Sequence, residues 1–486
     1  MKILLSAFST LLFIKLTASQ PNIILLLSDD QSWSGLSVQM HDDIPESKGE
    51  IFHTPNLEKL AAQGMRFSAA YSPASVCSPT RASLQTGKSP AQLRWTKAAP
   101  VMTADDGFKL IPPTIKKDLQ TEEITIAEIL KRAGYATAHY GKWHLAGGGP
   151  GEHGYDEHDG DTGNKDAVPF KDPNPVDIVG MGNRANTFMA KSVKAGKPFF
   201  IQLSYHALHY PENALEKTKA KYVEKNGGRE DKRILRAAIT EDLDSGVGMI
   251  MDKIRSLRIE GSTYVIYTAD NGATGGGGKK SGLRGGKGGV WEGGIRVPLI
   301  IRGPMVPPNS FCHTRVVGYD LYPTFCEIAG VKEPLPRGIE GGSILPLLRN
   351  GSGEVRRFRE NLVFHFPHYQ GDTPHSAIFS GNLKLMKFYE NDELMLFDLD
   401  KDLFEQNNLA VEMPDKVDSM HRILNKYLDD VGAELPVRNS KYDPENPPDM
   451  SRARGGGKDK NSSGKNLKGD KKKTGKKQST KSKKKK

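Results

Sequence analysis

The chain has 486 residues, 37% of them hydrophobic, three cysteines and a formal net charge of +11. That length allows one large domain with a smaller one beside it, and so few cysteines exclude a disulfide-built scaffold. The charge is concentrated at one end. Residues 451–486 carry 16 Lys and Arg against two Asp, an excess of fourteen positive charges, so the remainder stands at −3. A slightly acidic body carries a basic tail for which nucleic acid is a rival to anionic polymer or a cell surface, and no specific nucleic acid is expected as a partner.

The chain opens "MKILLSAFSTLLFIKLTASQP". A basic second residue, a short apolar run and small residues at Thr17, Ala18 and Ser19 describe a secretory signal over residues 1–19. Export, to a periplasm or the medium, is therefore expected. No later segment reaches roughly 18 uninterrupted apolar residues, so no second anchor is expected.

"NIILLLSDD" is a continuous apolar run, the pattern of a strand buried on both faces. "ITIAEILKRAGYATAHYGKWH" reads as a helix ending near Gly134 and then a strand. "KPFFIQLSYHALHYP" and "STYVIYTADNG" supply two more strands, and "LRAAITEDLDSGVGMIMDKIRSLR" between them is spaced as an amphipathic helix. "VGYDLYPTFCEIAGV" reads as a short helix closed by Gly330. This alternation predicts an α/β fold, a large, mostly parallel sheet covered by helices on both faces, over residues 20–348. Residues 349–440 change texture. "HSAIFSGNLKLMKFYENDELMLFDLDKD" reads as three short strands and "MPDKVDSMHRILNKYLDDVG" as a helix, a small antiparallel sheet with one helix. Residues 441–486 are expected to be a disordered basic tail able to contact anionic polymer or a cell surface.

In an open α/β sheet, ligands bind beyond the carboxyl ends of the strands. Asp29 and Asp30 end the first strand, and Asp270 and Asn271 end a later one. Separately each pair reads as a helix cap or turn; together they form a hard-oxygen set suited to Ca²⁺, with Mg²⁺ as the alternative. Lys142 and His144 of "GKWH", His206 and His209 of "HALHYP", and Lys287 in the glycine-rich "LRGGKGGVWEGG" add basic groups, and Arg81 lies four residues after Cys77. Converging on a divalent cation, they would make a site for sulfate or phosphate. Cys312 and Cys326 could pair, leaving Cys77 alone on a polar loop, "YSPASVCSPTRASLQTGK", where a thiol is a liability unless it has a task. Otherwise Cys77 is a small buried hydrophobe.

"VCSPTRASLQTGK" matches the sulfatase pattern Cys-x-Pro-x-Arg with its downstream Thr-Gly, and "GYATAHYGKWH" resembles that family's second pattern. The ordered set "DD", "CSPTR", "GKWH", "HYP", "DNG" and "GGK" resembles a type I sulfatase of alkaline-phosphatase-like fold from Pro21 to Gly342, and "MLFDLDKDLFEQNNLA" is similar to the closing subdomain. Gln85 and Tyr140 depart from the patterns at positions that carry no chemistry.

The resemblance implies that Cys77 is the precursor of formylglycine (3-oxoalanine), made by a formylglycine-generating or sulfatase-maturating enzyme. As a hydrate, the aldehyde offers one hydroxyl to attack sulfur and a second whose deprotonation expels sulfate. It further implies that Asp29, Asp30, Asp270, Asn271 and the modified Cys77 hold the cation, that Arg81 and Lys142 hold the hydrated aldehyde, and that His144 takes its proton. His209 and Lys287 would bind sulfate, one of them protonating the leaving oxygen. Lys142 is also placed against substrate, and His206 lines the pocket or packs structurally. The expected activity is release of sulfate from sulfated carbohydrates, with aryl sulfates as artificial substrates. The alternatives are a phosphodiesterase or phosphonate hydrolase of the same superfamily, and a non-catalytic sulfated-glycan binder. Specificity is expected from the loops holding Lys97, His153, Asp156 and His158.

Overall fold

A computed structural model describes residues 20–98, 100–274 and 282–450. The export signal and residues 451–486 of the expected tail lie outside the described residues.

The strands of the large sheet are, in chain order, β1 (Asn22–Ser28), β2 (Met65–Phe67), β3 (Ala136–Gly141), β4 (Glu157–His158), β5 (Phe199–Ser204), β6 (Thr263–Ala269), β7 (Leu299–Arg302) and β8 (Ser310–Cys312). Their spatial order is β8-β2-β7-β6-β1-β5-β3-β4. All neighbours are parallel except β7, which runs against both β6 and β2.

The unbroken apolar run of β1 has a direct cause. Ile24 and Leu26 pack into one core with the helices Pro55–Ala62, Ile178–Lys194 and Lys232–Ser256. Ile23, Leu25 and Leu27 point the other way, into a second core with the helices Ile126–Arg132 and Leu321–Ala329. A strand covered on both faces has no position at which a polar side chain meets water. Gly330 closes the second of these helices in the left-handed conformation.

The second sheet is an antiparallel meander of β9 (Leu362–Phe366), β10 (His375–Ser380), β11 (Leu383–Phe388) and β12 (Leu394–Asp398). Its side chains alternate. Phe364, Phe366, Phe379, Met386 and Phe397 face the large domain with Tyr71 and Trp291. Val363, Ile378, Leu385 and Leu396 face the helix Pro414–Asp430. The sequence predicted three of these four strands; β9, "LVFHF", was not among them.

Three expectations are corrected. Cys77 lies not on a loop but at the first position of a helix, Cys77–Thr86, all ten residues of which are buried. Cys312 and Cys326 are both free thiols. Residues 441–450, placed in the tail on composition, continue from a short strand, Val437–Arg438, paired with Leu110–Ile111, and Lys441 is ion-paired to Asp105. Among the described residues, no helix is long and apolar enough to cross a membrane.

Candidate active site

The site lies beyond the carboxyl ends of β1, β6, β3 and β5. Asp29 follows β1 directly, and its N–H donates to the Ala207 carbonyl (2.8 Å) while its own carbonyl accepts from Leu208 N–H (2.8 Å). These bonds tie the "HALHYP" segment to the end of β1. Asp30 takes a left-handed backbone, φ 53°, and its N–H donates to Asp270 Oδ1 (3.1 Å). Asn271 Nδ2 donates to Asp30 Oδ1 (2.7 Å). The turn after β6 is tight enough that a Cβ on Gly272 would lie 2.0 Å from the Gly293 carbonyl.

The helix Cys77–Thr86 delivers its first turn into this cluster. Pro79 sits in that turn, where a missing N–H breaks no intrahelical bond, and Thr80 Oγ1 both accepts from Ala74 N–H (3.2 Å) and donates to the Ala74 carbonyl (3.1 Å). Gly87 ends the helix in the left-handed region. One helical turn after Cys77, Arg81 reaches Asp270 Oδ2 through Nε (3.0 Å) and Nη2 (2.7 Å), and donates through Nη1 to the Lys142 carbonyl (2.6 Å). Lys142 Nζ is ion-paired to Asp29 Oδ2. Lys287 Nζ bonds Asp30 Oδ2 (2.8 Å) and stands 3.5 Å from Cys77 Sγ. Its loop is pinned by Gly288, whose N–H donates to the Ser75 carbonyl (2.9 Å). A Cβ on Gly288, with φ 90°, would lie 2.5 Å from the Gln370 carbonyl.

Three carboxylates thus face three cations, all buried or nearly so. Burial alone would push the Asp29 carboxyl up, but Lys142 foremost, then His209, Arg81 and Lys287, hold it well below the usual carboxylate range. Burial and the charge of Asp29 push Asp270 up to about 6 against the pull of Arg81. Burial opposes the charge on Lys287, but Asp30 beside it raises the ammonium above its ordinary value. Burial pushes the Cys77 thiol up to about 11. The unmodified thiol is therefore protonated at neutral pH and a poor nucleophile as it stands.

Asp29, Asp30 and Cys77 present ligand atoms that all lie within 4.8 Å of one another. Two buried oxygens of the cluster, Asp29 Oδ1 and Asn271 Oδ1, have no hydrogen-bond partner. Orphaned buried acceptors are costly, and an oxygen-rich set of this kind fits a hard divalent cation. The residues present therefore fit the implied metal.

Around this cluster stand three histidines. His144 is half-buried, at φ 59°, with Nδ1 unpartnered; burial takes its pKa down to about 2, so the ring is neutral. His209 is half-buried, its Nδ1 2.9 Å from the Tyr210 carbonyl. His206 is buried, pushed down to about 4 by burial. All ten residues singled out from the sequence for the metal and the chemistry thus fall in or around one cluster.

The specificity candidates divide differently. Lys97 Nζ is buried on the Tyr369 carbonyl (2.9 Å), and burial lowers its pKa to about 8. His153 is buried with Nε2 3.0 Å from the Gly147 carbonyl. Asp156 accepts from Thr137 N–H and pairs with Lys131. The exposed His158 accepts from Gly160 N–H. His153 is thus held by its own loop and Asp156 by the neighbouring strand and helix. The two departures from the family patterns also have partners: Gln85 Nε2 donates to Gln202 Oε1 (2.9 Å), and Tyr140 OH donates to Glu157 Oε2 (3.0 Å).

Sequence reasoning missed several supporting residues. Arg236 Nη1, from the long helix, donates to the Leu208 carbonyl (2.7 Å) and steadies the "HALHYP" segment. Thr162 Oγ1 accepts from Trp143 N–H (3.0 Å), and its carbonyl accepts from His144 N–H (2.7 Å), fixing "GKWH". Also missed was a buried charge cluster at the seam between the sheets. There Lys384 pairs with Glu292 (2.9 Å) and Glu405 (2.7 Å), and Arg296 pairs with Glu292 (2.7 Å). No local pattern signals residues so far apart in sequence.

The sulfatase family model matches residues 21–331, and the N-sulphoglucosamine sulphohydrolase C-terminal model matches residues 286–433. The chain is 30% identical over 475 residues to a sulfatase of Formosa agariphila, covering 81% of this chain and 85% of that one. It is 30% identical over 397 residues to human arylsulfatase A, covering 72% and 71%. The solved structure of Ps i-CgsB in complex with k-i-k-neocarrahexaose superposes with a TM-score of 0.70 at 24% identity, covering 84% of this chain and 93% of that one. The chain belongs to the sulfatase family. It is a sulfatase, a hydrolase of sulfate esters, on an alkaline-phosphatase-like fold.

Proposed function

We propose that the chain is an exported, metal-dependent sulfatase that releases inorganic sulfate from sulfated carbohydrates, and from aryl sulfates as artificial substrates, using a formylglycine made from Cys77. The observation that carries this reading is the placement of Cys77 Sγ. It stands at a helix N-terminus, in ligand range of Asp29 and Asp30 and 3.5 Å from Lys287 Nζ, beside two unpartnered oxygens. Cys77 is 2% exposed, so a maturating enzyme would have to act before the chain folds.

Asp29, Asp30, Asp270 and Asn271, with residue 77, would hold the cation, Ca²⁺ in first place and Mg²⁺ in second. When bound, the cation supplies Lewis-acid polarisation of a sulfate oxygen and of the attacking hydroxyl. When formed, the hydrated aldehyde supplies two hydroxyls on one carbon, one to attack and one to release sulfate. Arg81 and Lys142, both drawn towards Asp29 Oδ2, would orient the group on residue 77. His144, whose ring is neutral, is the residue that would take the proton of the second hydroxyl. Lys287 and His209 bind the sulfate oxygens. Asp30 holds the Lys287 ammonium in its charged form, which favours electrostatic stabilisation by Lys287 and leaves proton donation to the leaving oxygen to His209.

A carbohydrate substrate is supported by the sugar bound to Ps i-CgsB, and by an export signal and a basic tail suited to polyanions. The test joins peptide mass spectrometry of the secreted protein to sulfate release from matched sulfate and phosphate esters. Formylglycine at residue 77 replaces the sulfur by oxygen and removes two hydrogens. An unmodified thiol in a host that makes formylglycine, or a higher kcat/KM on the phosphate ester, sinks the reading.

A further inference from the structure

Far from this site, a second set of metal-ligand side chains meets at the edge of the large sheet. We propose that His41, Asp42 and His313 form a separate site for Zn²⁺ or a similar borderline transition ion. Among the described residues, only this group and the active-site trio place three such donors within 4.8 Å of one another.

The geometry is close to what zinc requires. The two rings meet at 5.2 Å between centroids, and Asp42 touches both, with Oδ1 3.3 Å from His41 Nδ1 and Oδ2 3.6 Å from His313 Nε2. Zinc–nitrogen bonds of about 2.0–2.1 Å at tetrahedral angles put neighbouring donors about 3.3 Å apart. The set is two imidazoles and one carboxylate, which suits Zn²⁺ and leaves the fourth position for water, whereas the active site offers hard oxygens suited to Ca²⁺.

Each donor is held from behind. His313 follows β8, and its Nδ1 shares a 2.9 Å hydrogen bond with Ser68 Oγ, leaving Nε2 for Asp42. A hydrogen bond at the second ring nitrogen is how metal-binding histidines are commonly oriented. The His313 ring lies parallel to Phe311 (6.4 Å, 4°), which carries the Arg66 guanidinium on its face at 3.8 Å. On the other side, the N–H groups of Met40 and His41 donate to Ser47 Oγ, and Gln39 Nε2 donates to the His41 and Asp42 carbonyls. His41 Nδ1 accepts the Asp43 N–H at 3.1 Å, a bond the metal must displace. Arg66 and Arg296 face the cluster and oppose a cation, so the affinity is expected to be moderate.

The site is remote from the chemistry. β8 is separated from β6 by two strands and from β1 by three, which at about 4.8 Å per strand is roughly 14–19 Å. A metal here would clamp the loop after β1 to the edge strand β8.

The test uses the Ca²⁺-loaded enzyme. Calorimetric titration with Zn²⁺ should show one equivalent bound, Co²⁺ should give tetrahedral d–d absorption, and Zn²⁺ should raise the melting temperature. His313→Ala and the milder Asp42→Asn should each weaken binding at least tenfold and abolish the Co²⁺ spectrum, while hydrolysis without Zn²⁺ stays at the wild-type rate. Asp29→Asn should keep the Zn²⁺ signal, which separates this site from the active site. Absence of saturable binding by the wild type, or an unchanged Co²⁺ spectrum in both His313→Ala and Asp42→Asn, overturns the proposal.

Discussion

At the seam between the sheets, Lys384 of β11 is buried between Glu292 and Glu405, and every carboxylate oxygen there faces a protein donor or cation, although Glu405 Oε1 does so through the Lys384 ion pair alone, without a hydrogen bond. Glu292 Oε1 meets Lys384, its Oε2 takes Tyr71 OH and Arg296 Nε, and Glu405 takes Lys384 on one oxygen and Glu292 N–H on the other. At the carboxyl ends of β1 and β6 the side-chain types are the same and the burial is as deep, but Asp29 Oδ1 and Asn271 Oδ1 are left over. The closed cluster serves packing of one domain on the other. The open one keeps coordination capacity for something the chain does not itself contain. Two unpartnered oxygens beside a set of ligand atoms, rather than one oxygen already resting on a lysine, are what set the open cluster apart.

The sharpest way to separate the two is to remove one group from each. Cys77→Ala deletes the group that formylglycine is made from, and sulfate release from an aryl sulfate should fall by about 10⁴-fold or more with little change in melting temperature. Retention of full activity would break the catalytic reading of this residue. Lys384→Met should do the opposite. It strands two buried carboxylates, and breaking a buried pair in this way costs about 3–5 kcal/mol, read as a large drop in melting temperature. The folded fraction should keep its kcat, and a stable but inactive variant would show that the seam takes part in chemistry.

The contrast also bears on what the sequence could reveal. β1 was legible because both its faces are covered, which leaves one continuous apolar word. Asp29, Asp30, Lys142, His144, His209, Asp270 and Asn271 were legible because each sits within a few residues of a strand end, and Cys77, Arg81 and Lys287 because they stand in short contiguous motifs. The helix that starts at Cys77 was not, since Ser, Pro, Thr and Arg read as loop; its burial comes from packing against Gly318–Asp320 and the helix Leu321–Ala329, far along the chain. Lys384 and Glu405 read as surface charges of a strand and a turn, because their partner Glu292 lies about a hundred residues away. Strand β9 was lost for another reason: although all five residues are buried, the run "LVFHF" is short and His365 interrupts it.

Metal removal sharpens the comparison at lower energy. Because Asp29 and Asn271 leave buried acceptors unpartnered beside the other ligand atoms, a chelator should abolish hydrolysis and lower the melting temperature, through a stability loss of about 2.7 kcal/mol if the metal had been present at a hundred times its Kd. Calcium should restore both. A chelator that leaves activity and melting unchanged would mean the orphaned oxygens are not a metal site.

The smallest effect lies at the closed cluster and is a matter of pH. Burial pushes Glu405 up to about 7, with Glu292 adding and Lys384 opposing. Burial would raise Glu292 too, but Lys384 and Arg296 take it down to about 2. The difference follows from the partners, since Glu292 has two cations and Glu405 one. The folded-state pKa of Glu405 lies above the ordinary carboxyl value of 4.5, so between about 4.5 and 7 the folded chain holds a proton that the unfolded chain has lost. Its contribution to stability therefore falls as pH rises through that window. Glu292 acts in the opposite direction and lower, its contribution being lost as pH falls from about 4.5 towards 2. Glu405→Gln cannot titrate, so its melting temperature should lose the decline between pH 4.5 and 7, with a gain on the order of 1 kcal/mol at neutral pH relative to the wild type. A variant whose pH profile runs parallel to the wild type across that window would show that Glu405 is ionised throughout, and that a single lysine suffices for two buried carboxylates.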